Sequence, residues 1–269
     1  MKYELNNQPI HYFPEGEKKF GQPDVLLHRA SDLTVSTRWS AKGYTIAPLF
    51  DTETFTTFQS ETTALVTDCW RQAGLLVPDH FKLDQYHTLI TTQAQHLAAV
   101  EQTKLLSAKK FPLGISRIEE RVSDICGISL IALNPFDGQS VFHFRVVRPH
   151  SHDNNPLHRD VWLEDYANCI NLYIPVAGSN ALSSLPLIPG SHYWPEDKIE
   201  RTENGALINN TKFNVPAVSE IHGEFQIVRP DPVANEVLVF SPYLIHGGAV
   251  NLNDNLTRIS IELRLWKKN

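Results

Sequence analysis

The stretch Asn155-Pro156-Leu157-His158-Arg159-Asp160 sets an imidazole and a carboxylate two positions apart. In extended backbone such a pair projects to one side, where both can grip one metal ion. A second imidazole stands far downstream at the end of Ser241-Pro242-Tyr243-Leu244-Ile245-His246-Gly247-Gly248, and Arg258 and Ser260 follow on a further strand-like run. Two histidines and one carboxylate cover one face of a six-coordinate ion and leave three positions open, which suits a reactive Fe(II).

Those open positions can take a chelating 2-oxo acid and oxygen. The acid's distal carboxylate would then need a buried guanidinium, able to hold it by two charge-assisted hydrogen bonds. Arg258, at the start of the strand after His246, has that place, and Ser260 on the same face can donate a further bond; Arg264, also on that face, is its rival. His192, after Pro-Gly-Ser, reads as fixing a turn. His150-Ser151-His152 offers a cupin-like His-x-His, but no Glu follows closely to complete that set. Arg145, Arg148 and Arg159 border the site, as anchors for an anionic substrate or as salt-bridged scaffold, and Trp162 and Trp194 are pocket walls or core aromatics.

The order His158-x-Asp160, His246, Arg258-x-Ser260 resembles the Fe(II)/2-oxoglutarate-dependent dioxygenases. Leu187-Ile188-Pro189-Gly190-Ser191-His192 is similar to the P-G-S-H element of their phytanoyl-CoA dioxygenase branch, as is Lys42-Gly43-Tyr44 before a long helix. The resemblance spans roughly residues 40 to 266. It implies a double-stranded β-helix (jelly roll, cupin-like) with His158 and Asp160 on an early strand and His246 on a late one. It implies Fe(II), 2-oxoglutarate as co-substrate and O2, with decarboxylation to succinate and CO2 coupled to oxidation of a substrate. Asp160, where related halogenases have a small residue, favours hydroxylation, although desaturation, cyclisation and epimerisation stay open. Tyr173 would lie beside the 2-oxoglutarate. The alternatives are another metal-dependent cupin-type enzyme working without 2-oxoglutarate, and a ligand-binding jelly roll without catalysis.

The elements that must position these groups change character along the chain. Residues 1–40 read as an irregular arm with one short strand. A strand near 43–50 leads to a helix capped by Asp51, whose Phe55, Phe58, Leu65, Val66, Cys69, Trp70 and Ala73 form one apolar face, closed by Gly74 and Pro78. Helices are expected at about 79–109, with Leu97 and Ala98 on the buried side, and at 116–125. After Gly127, short β-rich runs at 128–133, 141–148, 170–175, 185–188, 225–229, 236–240 and 258–266 alternate with Pro, Gly and Asn. The fold class is therefore α+β or mainly β: one domain over 41–269 with flanking N-terminal helices. On the last run Ile259, Ile261, Leu263 and Leu265 face a core, whereas Arg258, Ser260, Glu262 and Arg264 face a ligand. The long polar span at about 191–224 reads as a lid over the barrel mouth, which points to a small polar substrate.

A net charge of −6 and pI near 6.0 argue against nucleic acid or an anionic membrane as partner. Cys69, Cys126 and Cys169 form no C-x-x-C pair, so neither a disulfide framework nor a zinc knuckle is indicated. With no apolar leader at the N-terminus and no spanning stretch, a reduced cytoplasmic location is expected. The oligomeric state is not legible.

Overall fold

A computed structural model describes every residue except Arg29, Ala30, Leu105, His152, Glu164, Asp165 and Asn269. In chain order, β1 (Lys2–Leu5) and β2 (Gln8–His11) form a hairpin, and β3 (Lys18–Phe20) and β4 (Tyr44–Pro48) follow. The arm thus holds three strands before residue 40, where the sequence suggests one. Its Tyr3 and Leu5 alternate inward and join a small core with Leu157, Ile188 and Ile245, which ties the arm to the chain around His158 and His246.

Helix α1 (Thr52–Gln72) starts where Asp51 predicts: the carboxylate accepts from the Thr54 backbone N–H at 2.9 Å. Such a cap contributes about 1 kcal/mol. The expected helix over 79–109 is instead broken, into a 3-10 stretch at Leu83–Leu89 and α2 (Gln93–Thr103). The reason is a capping box at Thr92 and Gln95, which satisfies the orphaned N–H groups of a helix beginning there. The restart also changes the phase, so His96 and Ala99 are buried while Leu97 is 57% exposed. After β5 (Leu106–Ser107), α3 (Ile115–Cys126) runs to Gly127, whose left-handed φ of 68° ends it.

The remaining strands are β6 (Leu130–Ile131), β7 (Val141–Val147), β8 (Cys169–Ala177), β9 (Ile199–Thr202), β10 (Ala206–Ile208), β11 (Thr211–Phe213), β12 (Val218–Ile221), β13 (Glu236–Phe240) and β14 (Arg258–Lys267). An antiparallel sheet runs in the order β4-β13-β8-β14-β7-β5, with β6 added to β14. As the alternation of β14 requires, Ile259, Ile261, Leu263 and Leu265 pack with Phe58, Val66 and Trp70 of α1. The opposite face of β14 carries Arg258, Ser260, Glu262 and Arg264. Register sets Glu262 between His143 of β7 and Tyr173 of β8, and Arg264 beside Asn171.

The span 191–224, expected as a polar lid, contains regular structure. It folds into β9, paired with β12 and β3, and the hairpin β10–β11. No helix among the described residues is long and apolar enough to cross a membrane.

Candidate metal centre

Above the polar face of the sheet, short backbone bridges line up Val228, Leu187, His246 and His158 as neighbours. His158 and His246 exchange backbone hydrogen bonds of 2.9 Å in both directions. This pairing cancels a separation of 88 residues in the chain and brings the rings to 4.5 Å between centroids. His158 therefore sits in an isolated bridge, and Asp160 opens a 3-10 turn (Asp160–Trp162), not the regular strand the spacing suggests. The turn still carries the carboxylate under the imidazoles, because the Asp160 N–H bonds to the Pro242 carbonyl at 3.0 Å.

The ring orientations follow from their second nitrogens. His158 Nδ1 lies 2.8 Å from the Pro156 carbonyl and His246 Nδ1 lies 2.9 Å from the Leu244 carbonyl. A carbonyl only accepts, so each Nδ1 carries the proton and each Nε2 offers a lone pair. Both lone pairs aim at one carboxylate oxygen: Asp160 Oδ1 is 3.2 Å from His158 Nε2 and 3.6 Å from His246 Nε2. All three side chains are buried, and among the described residues they are the single group of three such side chains placed to hold a metal ion.

Asp160 Oδ2 is held from the sheet. It accepts from Asn171 Nδ2 at 3.0 Å and from Arg264 Nε and Nη2 at 3.1 and 2.7 Å. Burial alone would push this carboxyl up, but the Arg264 charge beside it holds it well below the usual range. Burial, reinforced by the neighbouring His158, pushes His246 down to about 4, so its ring is neutral at pH 7. A neutral His246 ring and an ionised Asp160 carboxylate are the forms in which such groups ligate.

Beside this triad lies a cavity of about 200 Å³, walled also by Tyr173, Arg258, Glu262 and Arg264. Arg258 is 1% exposed, and among the described residues its Nε and Nη1 meet no hydrogen-bond partner; neither does Ser260 Oγ. Unpartnered buried donors cost about 1–3 kcal/mol each, more when charged, so the cluster is built to meet an acceptor. Arg264, the rival, is taken by Asp160 and lies over the Tyr166 ring at 4.2 Å. Tyr173 is fully buried, its ring 5.6 Å from the Arg258 guanidinium and its hydroxyl 2.7 Å from Ser179 Oγ.

Most of the other candidates are engaged away from the cavity. His192 Nε2 bonds to the Ser40 carbonyl at 2.8 Å, and its ring packs on Gly43, where a Cβ would come within 2.7 Å. Arg159 is buried against Glu196 and the Ser191 carbonyl, and Trp162 donates to the same Glu196 at 2.9 Å. Arg148 pairs with Asp153 at 2.8 Å. Trp194 is covered by Lys198, 3.7 Å from its ring centre. In the His-x-His reading, His150 bonds to Asp254 at 3.1 Å and His152 lies outside the described residues. Arg145 does reach the cavity wall, bonded through Nε and Nη2 to Glu262 at 3.1 and 3.0 Å, and His143 bonds the same carboxylate at 2.8 Å.

Two participants escape the sequence reading. Asn171 anchors Asp160, and its only signal is its alternation with Tyr173. Arg229 has buried, unpartnered Nε and Nη1, and burial together with the Arg258 charge pushes it down to about 10. Nothing in its local sequence marks it.

No family model matches the chain, and no curated protein matches it. Among solved structures it is similar in fold to AviO1 from Streptomyces viridochromogenes Tue57, at 15% identity and a TM-score of 0.51, over 91% of this chain and 97% of that one. EvdMO1 is similar at 15% identity and a TM-score of 0.50, over 86% of this chain, which spans 49% of EvdMO1. The epimerase SnoN, crystallised with Fe3+, alpha ketoglutarate and nogalamycin RO, is similar at 12% identity and a TM-score of 0.50, over 86% of this chain and 81% of that one.

Proposed function

We propose that the protein is an Fe(II)- and 2-oxoglutarate-dependent oxygenase that oxidises a small molecule, most simply by hydroxylation. The observation that carries this reading is the convergence of His158 Nε2, His246 Nε2 and Asp160 Oδ1, three acceptors with no donor between them. Mutually repelling lone pairs in a buried site call for a cation. Borderline nitrogen and hard oxygen donors in a 2-His-1-carboxylate set fit Fe(II), which when bound activates oxygen with a 2-oxo acid as reductant.

In this reading His158, His246 and Asp160 are the metal ligands. Asn171 and Arg264 fix which oxygen of Asp160 faces the metal, and Arg258 with Ser260 receives the distal carboxylate of 2-oxoglutarate. Tyr173 forms the side wall of that slot. The unpartnered nitrogens of Arg258 favour a co-substrate with a second carboxylate over a cupin-type enzyme that needs none. The row of bridges Val228-Leu187-His246-His158, lying over the large sheet, is the second sheet of a double-stranded β-helix. SnoN, crystallised with Fe3+ and alpha ketoglutarate, supports the same assignment. On the substrate side, Glu262 with Arg145 and His143 gives the cavity a polar, hydrogen-bonding wall.

The test is succinate formation from 2-oxoglutarate with Fe(II) and oxygen. Asp160→Ala should abolish it and leave a folded protein, judged by its melting transition. Full turnover in that variant would end the proposal.

A further inference from the structure

We propose that the cleft between the β1–β2 and β10–β11 hairpins is a second part of the substrate site, and that it takes an uncharged, flat apolar ring. The molecule oxidised would carry that ring at one end and its polar, reacting end in the cavity beside His158. This extends the oxygenase reading to a substrate class.

The cleft encloses about 250 Å³ and is lined by Tyr3, Ile10 and Tyr12 from the first hairpin and its exit, and by Ile208 and Phe213 from the second. Its described walls hold no Asp, Glu, Lys or Arg, and His11 is the single imidazole among them, unlike the reaction cavity with Arg145, Glu262, Arg258 and Arg264. Both tyrosine hydroxyls are engaged by the backbone. Tyr12 Oη accepts the Leu157 N–H at 3.2 Å, and Tyr3 Oη donates to the Gly248 carbonyl at 3.4 Å. Their rings meet edge to face, centroids 6.5 Å apart at 78°, which leaves aromatic carbon to form the wall. Edges and faces of this kind suit a flat ring, with the electropositive rim of one against the face of another.

A wall shared with the reaction cavity points to the occupant. Asn154 is in the wall of both. Pro156, at the inner end of the cleft, is the residue whose carbonyl orients His158, and Gly248 adjoins Gly247, which lines the reaction cavity. A molecule that spans Asn154 would meet aromatic carbon on one side and the charged residues of the reaction cavity on the other.

The probe is N-phenyl-1-naphthylamine, which is uncharged and so gives Arg258 nothing to pair with. The full chain is expected to bind one equivalent with enhanced fluorescence. Phe213→Asp and Ile10→Asp, each checked for an unchanged melting transition and unchanged Mn(II) binding, should weaken it at least tenfold. With Mn(II) on the triad, the probe's ring protons should relax faster than with diamagnetic Zn(II). No enhancement in the unmodified protein, equal affinity in both variants, or bound Mn(II) without effect on the probe would each overturn the proposal. If Mn(II) fails to bind while the fluorescence and variant results hold, the metal assignment fails and the ring-binding cleft stands.

Discussion

Arg264 grips Asp160 through one oxygen only: its Nε and Nη2 both reach Oδ2, at 3.1 and 2.7 Å, and leave Oδ1 to the two imidazoles. The pair joins residues 104 positions apart and fixes a buried carboxylate in the rotamer that a facial triad needs. Its guanidinium is on the strand that also carries Arg258, so one strand positions both the metal's anionic ligand and the candidate clamp for the co-substrate.

Replacing that grip should loosen the metal. Arg264→Met is expected to lower Mn(II) or Co(II) affinity by about ten- to a hundredfold, the usual effect of removing a residue that orients a ligand. Calorimetric titration would measure it, with Arg264→Lys falling between. Affinity equal to that of the unmodified protein would show that Asn171 alone suffices.

Arg258→Ala should act on the co-substrate and spare the metal. The loss of charge-assisted hydrogen bonds, each worth about 1.5–3 kcal/mol, should raise the 2-oxoglutarate concentration for half-maximal succinate formation by about tenfold or more. Mn(II) affinity should not change. If the requirement for 2-oxoglutarate stayed constant, Arg229 would become the clamp to test.

Gly247 lies at φ +106°, and a Cβ there would come within 2.3 Å of the Pro156 carbonyl and 3.0 Å of His158 Nδ1. Gly247→Ala must therefore push the His158 loop aside while straining its own backbone, at a cost of about 1–3 kcal/mol. The expected outcome is a lower melting temperature together with weaker metal binding. A variant that melts lower but binds Mn(II) normally would show that His158 does not depend on this close approach.

Burial holds His246 at about 4 in the folded chain, against 6.5 for the free group. Between those values the unfolded chain binds the extra proton, so stability rises with pH across that window and falls as pH drops through it. Urea midpoints of the metal-free protein should decline from about 6.5 toward about 4, and His246→Gln should flatten that slope. An equal slope in the variant would place the titration elsewhere.

Much of the local structure was legible because it depends on neighbours in sequence. Asp51 and Thr54 declare the start of α1, and the two-residue alternation from Arg258 to Leu265 separates core from cavity without any fold in view. The break at Thr92 was legible too, in its Thr-x-x-Gln box, but a run of apolar residues around it gave a stronger helical pattern. In the span 191–224 the strands were not legible, for another reason. Its polar residues suggest a lid, and the contacts of Glu196 and Arg201 with Arg159 and Trp162 lie outside any local pattern.

By itself the sequence determined which side chains could ligate, His158, Asp160 and His246, since residue type is a local property, while the turn that carries Asp160 under the imidazoles is not. The tertiary structure decided what each did with its remaining bonds. Whether Arg258 or Arg264 would be left without a partner depended on which of them lay beside Asn171 and under Asp160, and that register is set across β8 and β14. Two arginines six residues apart on one face are equivalent until the sheet closes; after that, one neutralises a carboxylate and the other keeps its donors free.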